Sequence, residues 1–250
     1  MEMSYYEQER FETAKNRIIG KSHNDKGIGT LSEKTVHAVL KNFYEPDEDY
    51  HEVALEGYFA DIYNEQGIIE IQTRSFNKLR DKLSVFLELY PVTVVYPMPH
   101  NKWIGWINEE TGEVSQLRKS PRHFTMYDAF FELYKIKNYL KHPNLKIELV
   151  LMDMEEYKRL NGWDKTRKRG ATRSDRIPLG ISRIIKVEQP EDYMQFVPFE
   201  LEEEFTSTDF AKAARITKES AALALNILHE VGTVERLGRK GRSYLYRVLE

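Results

Sequence analysis

The chain has 250 residues, 41% of them hydrophobic, and a formal net charge of −3. That length supports one large domain, or one large and one small, and the charge excludes a polycation, so nucleic-acid contact must come from local basic patches. Without cysteine there are no disulfides or thiolate zinc sites, and without a run of about 18 apolar residues there is no membrane span, so the expectation is a cytoplasmic protein with no membrane partner.

Residues 4–18 read as a polar helix, followed by a loop broken by Gly20, Gly27 and Gly29. In "TLSEKTVHAVLKNFY", Leu31, Val36, Val39, Leu40 and Phe43 fall near helical spacing. Thr30 and Glu33 have the spacing of a capping box at its start. Strand-like runs follow at 51–56, 58–63 and 68–74, with Gly57 and Gly67 between them. "SFNKLRDKLSVFLELY" is an amphipathic helix with Phe76, Leu79, Leu83 and Leu87 on one face. "VTVVYPM" is a buried-type strand that the prolines at 97 and 99 should end, and "KWIGWINEETGEV" looks like a hairpin. A helix over 126–140 and a strand over 145–154 follow. This order suits an α/β (α+β) domain. The basic run 165–176, with Arg167, Lys168 and Arg169 at its centre, reads as a loop. It is either solvated or phosphate-contacting.

The hairpin "GYFADIYNEQGIIEIQTR" carries the chemistry. A turn at Asn64–Gly67 sets Tyr63 opposite Ile68 and Asp61 opposite Glu70. Alternation then places Ala60, Ile62, Ile69 and Ile71 on one face, and Phe59, Asp61, Ile68, Glu70 and Gln72 on the other. Two like charges directly opposed destabilise a sheet. Either a divalent cation sits between them, which two carboxylates and several waters suit for Mg²⁺, or a nearby Lys or Arg relieves the repulsion. The seven histidines show no paired ligand spacing for zinc.

Helix, strand, strand with Asp61, strand with Glu70-Ile71-Gln72, helix and strand together resemble the core of the PD-(D/E)XK nuclease superfamily, the restriction-endonuclease-like fold. The resemblance implies a mixed sheet flanked by helices, with Asp61, Glu70 and the Ile71 carbonyl holding Mg²⁺ or Mn²⁺. It also gives Glu33 the place of a first-helix glutamate. The family's lysine position is Gln72 here, a residue that can orient water but carries no charge. Arg74, Lys78 and Lys82 are cations that could take the lysine's part.

Residues 205–250 carry eight Lys/Arg against five Asp/Glu, opposite in sign to the whole chain. Thr206-Ser207-Thr208 offers N-caps for a short helix, 218–231 forms a second helix ended by Gly232, and a basic hairpin follows. The segment resembles a winged helix-turn-helix. The likeness puts Lys218, Ala222, Asn226 and His229 on the outward face of a recognition helix and Arg239, Lys240 and Arg242 in the wing. Trp103 and Trp106 are expected to pack on the sheet, the other reading being base stacking.

The expectation is a restriction-endonuclease-like domain over 1–200, its core about 30–160, followed by a winged helix over 201–250. Such a protein would act on DNA as a metal-dependent endonuclease, with Asp61, Glu70, Gln72 and Glu33 in the catalytic site. The competing readings are a DNA-binding regulator or defence-system sensor that keeps the nuclease fold as a scaffold, and a protein-interaction adaptor. A homodimer would suit paired cuts, though no residue demands one.

Overall fold

The computed structural model describes residues 3–25, 34–108, 110–122, 124–159 and 172–249. The polar helix runs further than its composition suggests, as α1 (Tyr5–Asp25), and α2 (Lys34–Tyr44) packs on it. The three short strands are β1 (His51–Leu55), β2 (Tyr58–Asn64) and β3 (Gly67–Ile71). A 3-10 turn at Phe76–Leu79 leads into α3 (Arg80–Leu89), and then β4 (Val92–Ile107). After β5 (Arg118–Lys119), the helix expected over 126–140 is three pieces, with α4 (Phe130–Leu133) between 3-10 turns and a non-helical Ile136. Two long strands, β6 (Leu145–Arg159) and β7 (Thr172–Val187), complete the first unit.

The fold is a mixed α/β fold whose mixed sheet is flanked by helices. The strand order is β1-β2-β3-β4-β6-β7, with β5 on β4. β3, β4 and β6 are parallel and the rest antiparallel. One face packs Phe11, Val39, Leu40 and Phe43 from α1 and α2 against Ile62, Ile69 and Ile71. The other packs Phe76, Leu83 and Phe86 against Ile68, Val92 and Val94.

Two strand expectations need correction. β4 does not stop at its prolines, because β3 ends at Ile71 beside Val95 and leaves that β4 edge open past Pro97 and Pro99, until β5 pairs at Trp103 and Ile104. A proline at an open edge lacks only an N–H that no neighbour needs. Residues 172–176, expected as loop, begin β7, an edge strand that tolerates Pro178 and Gly180 through register shifts.

Gly67 opens β3 at φ +100, a backbone region that L side chains avoid. A Cβ there would sit 2.4 Å from the Pro91 carbonyl oxygen, which is held by the Ile68 N–H at 2.9 Å. Gly67→Ala is therefore expected to destabilise the protein by about 2 kcal/mol or more. Urea denaturation checks this; an unchanged midpoint would mean the β3–Pro91 approach is looser than described.

The C-terminal segment forms β8 (Glu204–Thr206), α5 (Ser207–Ala213), α6 (Lys218–Val231), β9 (Val234–Lys240) and β10 (Ser243–Val248), with sheet order β8-β10-β9. Thr206 caps α5 through a capping box with Asp209, and Gly232 ends α6 at φ +89. This unit does not stand apart. Ala224, Leu225, Ile227 and Leu228 of α6 join the same apolar cluster as α3 and α4, and Tyr127 packs edge-on to Phe210.

Candidate functional site

The hairpin register is the expected one near its turn: Asn64 faces Gly67, Tyr63 faces Ile68 and Ile62 faces Ile69. The ladder then ends. No backbone pair joins Asp61 to Glu70, and on the other side β1 and β2 pair through Val53–Ala60 and His51–Ile62 but skip Glu52 and Asp61. Glu52 has φ 51, a left-handed backbone unusual for a non-glycine residue. β2 is thus irregular at Asp61 on both edges. As a result Ala60 joins the α3-side core while Ile62 joins the α2-side core. The expected shared face for Ala60 and Ile62 is corrected accordingly.

The opened ladder lets side chains take the place of backbone partners. The Ile71 N–H donates to Asp61 Oδ2 at 2.7 Å, and the Asp61 N–H lies 3.4 Å from Glu70 Oε1. His37 Nε2, from α2, stands 3.1 Å from Asp61 Oδ2. Lys82 Nζ, from α3, reaches Glu70 Oε2 at 2.9 Å and Oε1 at 3.0 Å, and donates to the Phe59 carbonyl at 2.6 Å. Four elements from both faces of the sheet therefore meet in the order His37, Asp61, Glu70, Lys82.

Burial separates the two acids electrostatically. Glu70 is only 5% exposed. That burial, reinforced by the neighbouring Asp61 charge, pushes its carboxyl up to about 7 despite Lys82. Burial also acts upward on Asp61, but the His37 hydrogen bond and charge, the Ile71 N–H and Lys82 outweigh it and hold Asp61 below its ordinary value. One carboxylate is held ionised and the other is poised to take up or release a proton. Such a split is typical of functional carboxylate pairs.

Gln72 does not join this group through any hydrogen bond described. Its side-chain amide donates to the Ser75 carbonyl at 3.3 Å, in the turn that follows β3. Glu33, Arg167, Lys168 and Arg169 lie outside the described residues. The sequence does not single out His37 of α2; only its spacing of four from Glu33 within the expected helix could have pointed to it. Two carboxylates fit the usual protein share of a magnesium site, the remaining ligands being water. Among the described residues, no three His, Asp or Glu side chains form a metal-holding group.

The proposed DNA-contacting residues of the C-terminal unit fall in different settings. Lys218, Arg239, Lys240 and Arg242 are exposed. Asn226 does not face out as expected; it is half-buried, and its side-chain oxygen is sealed with no hydrogen-bond partner among the described residues. On the hairpin, the guanidinium groups of Arg236 and Arg239 lie 4.8 and 5.0 Å from the Tyr244 ring.

A family model described as "Domain of unknown function (DUF8091)" matches residues 34–188. The chain belongs to this family. The DUF8091 match runs from α2 through β7, so it contains His37, Asp61, Glu70 and Lys82 and leaves α1 and the C-terminal unit outside. An "Uncharacterized protein" of Treponema pallidum (strain Nichols) is 27% identical over 227 residues, covering 88% of this chain and 87% of that protein. No solved structure matches. Among the described residues, no helix is long and apolar enough to cross a membrane.

Proposed function

We propose that the protein is a metal-dependent nuclease of the restriction-endonuclease-like type, acting on DNA, with Asp61 and Glu70 as its metal-holding pair. The observation that carries this reading is the break in the sheet at Asp61. A regular ladder is given up, and a left-handed Glu52 is kept, so that two carboxylates from adjacent strands can converge. Backbone strain of that kind is commonly held at functional sites. A divalent cation bound there supplies a Lewis acid for the phosphodiester and a water of lowered pKa.

The chain's own groups have separate parts. Asp61 and Glu70 hold the cation. His37 and the Ile71 N–H fix the Asp61 carboxylate. Lys82 supplies the positive charge that Gln72 lacks, reaching the Glu70 carboxylate from α3. Gln72 shapes the turn after β3. The C-terminal unit, read as a winged helix, brings nucleic acid through its exposed β9–β10 hairpin. The solvent face of α6 carries Glu219 and Glu230 beside Lys218 and His229 and suits a phosphate backbone poorly.

The test is incubation with Mg²⁺ or Mn²⁺ and duplex, single-stranded, nicked and branched DNAs. Lys82→Ala is expected to slow cleavage by about a hundredfold, in the range of a lost charge-positioning or acid–base group, while Gln72→Ala changes it only a few-fold. The opposite ranking would return the lysine's part to position 72. A second reading is favoured by one observation, that Lys82 already contacts both carboxylate oxygens of Glu70. In it the fold is a scaffold for a DNA-binding regulator, the acids hold no metal, and calorimetry with Mn²⁺ shows no binding.

A further inference from the structure

Three register shifts meet around Asp153 of β6. On one side, β4 pairs Pro99 with Met152 and Lys102 with Met154, so His100 and Asn101 leave the ladder and Asp153 has no backbone partner there. On the other side, β7 pairs Arg183 with Leu151 and Ile181 with Met152, so Ser182 bulges out. The third shift follows at once, where β7 passes over Leu179 between the partners of Asp153 and Met154. Bulges re-aim side chains and are frequent beside functional sites.

The re-aimed side chains converge. His100 Nδ1 lies 3.1 Å from Ser182 Oγ and 3.5 Å from Asp153 Oδ1, and Ser182 Oγ lies 3.4 Å from that same oxygen. The Asn101 side-chain nitrogen joins them, 2.9 Å from Asp153 Oδ1 and 3.3 Å from His100 Nδ1. The Asn101 backbone N–H also donates to Asp153 Oδ1, at 3.0 Å. Serine, histidine and aspartate together suggest a nucleophile relay, but the geometry excludes one. Both partners meet Nδ1, whereas a relay runs through the two ring nitrogens in turn.

The distances fit another chemistry. Ligand atoms about 2.0–2.1 Å from zinc stand about 3.3–3.4 Å apart at the tetrahedral angle. The His100, Ser182 and Asp153 atoms form a triangle with edges of 3.1, 3.4 and 3.5 Å. An amide's oxygen and nitrogen exchange places when the group turns over, which sets the Asn101 oxygen beside the same two partners. With one imidazole and one acid, this is not a group of three His, Asp or Glu; neutral oxygens and water supply the other ligands. The His100 and Asp153 side chains are 48% and 31% exposed, which leaves the group open to water. We infer that His100, Asp153 and Ser182, with Asn101, bind a divalent transition-metal ion of the zinc class. The imidazole selects such ions over Mg²⁺ and Ca²⁺, which take oxygen ligands. The ion ties β4, β6 and β7 together where their ladders part. Glu70 is level with Ile147 of β6 through Val94. Asp153 lies six residues beyond Ile147, roughly 20 Å at about 3.3 Å per residue. The site is therefore separate from Asp61 and Glu70, and the inference does not rest on the nuclease reading.

Zn²⁺ and Co²⁺ are titrated by calorimetry into the full chain carrying Asp61→Asn and Glu70→Gln, which removes the other carboxylate pair. One ion per chain is expected, and equimolar Mg²⁺ should not displace it. His100→Gln and Asp153→Asn, each added to that background, should weaken Zn²⁺ binding at least about tenfold, the least that losing even a ligand's supporting partner typically costs. Zn²⁺ should raise the Tm of the parent by mass action and leave that of either variant unmoved. A cluster held by hydrogen bonds alone would lower the variants' Tm and give no zinc response in any of the three proteins. His142→Gln, at a histidine outside the cluster, should leave the affinity unchanged. No binding by the parent, unchanged affinity in either variant, a loss in His142→Gln instead, or displacement by equimolar Mg²⁺ overturns the inference.

Discussion

Asp61→Asn is expected to lower metal-dependent cleavage by about a thousandfold while leaving the protein folded. The size follows from removing one of two charged ligands, worth several kcal/mol at the transition state, with each 1.36 kcal/mol a factor of ten. Asparagine is the informative replacement because its amide oxygen can still accept from the Ile71 N–H, the 2.7 Å bond that ties β2 to β3 where the ladder fails. Asp61→Ala removes that acceptor too and leaves a partly buried N–H unpaired, at a further cost of about 1–3 kcal/mol. Comparing the two separates chemistry from folding. If Asp61→Asn cuts as fast as wild type with Mg²⁺ or Mn²⁺, the pair is not the metal site. If wild type cuts nothing and binds no Mn²⁺, the scaffold reading takes its place, with Lys82 as the permanent counter-ion of Glu70.

The part of this site that was legible in the sequence is the part set by local chemistry. Turn residues Asn64 to Gly67 and the apolar run Ile68–Ile69 fix the hairpin register, and Asn64 does face Gly67. Alternation could not show where the register stops. The break at Asp61 depends on Glu52 adopting φ 51 and on His37 arriving from another helix, both non-local facts. Lys82 was visible only as one of several cations near the strand; its choice over Arg74 and Lys78 is made by the packing of α3. β4 ran past its prolines because β3 is short, which no reading of β4 alone contains. Asn226 followed the same logic: its place on a helix wheel was outward, but α6 packs against α4 and the turns around it.

Glu70→Gln is expected to make the protein more stable at pH 8, not less. Burial raises the Glu70 carboxyl from its ordinary 4.5 to about 7 in the folded state. Between those values the folded chain holds more protons than the unfolded one, so stability is greatest below about 4.5 and falls as pH rises through 7. A shift of that size corresponds to about 3 kcal/mol, or about 6–12 °C in Tm for a chain of this length. Asp61, held below its ordinary value, acts in the opposite sense and only at acid pH, so it leaves the window from 5 to 8 to Glu70. Glutamine keeps the shape and removes the charge. Its Tm should match wild type near pH 5 and exceed it progressively toward pH 8. Mg²⁺ or Mn²⁺ should raise the wild-type Tm at pH 8, because a cation bound to the ionised pair stabilises the folded state by mass action, and should do little for Glu70→Gln. Parallel Tm curves for the two proteins from pH 5 to 8 would mean that Lys82 fully compensates the Glu70 charge. A protein that gains stability on losing this carboxylate, and loses its metal response with it, keeps Glu70 for function at the expense of its own fold.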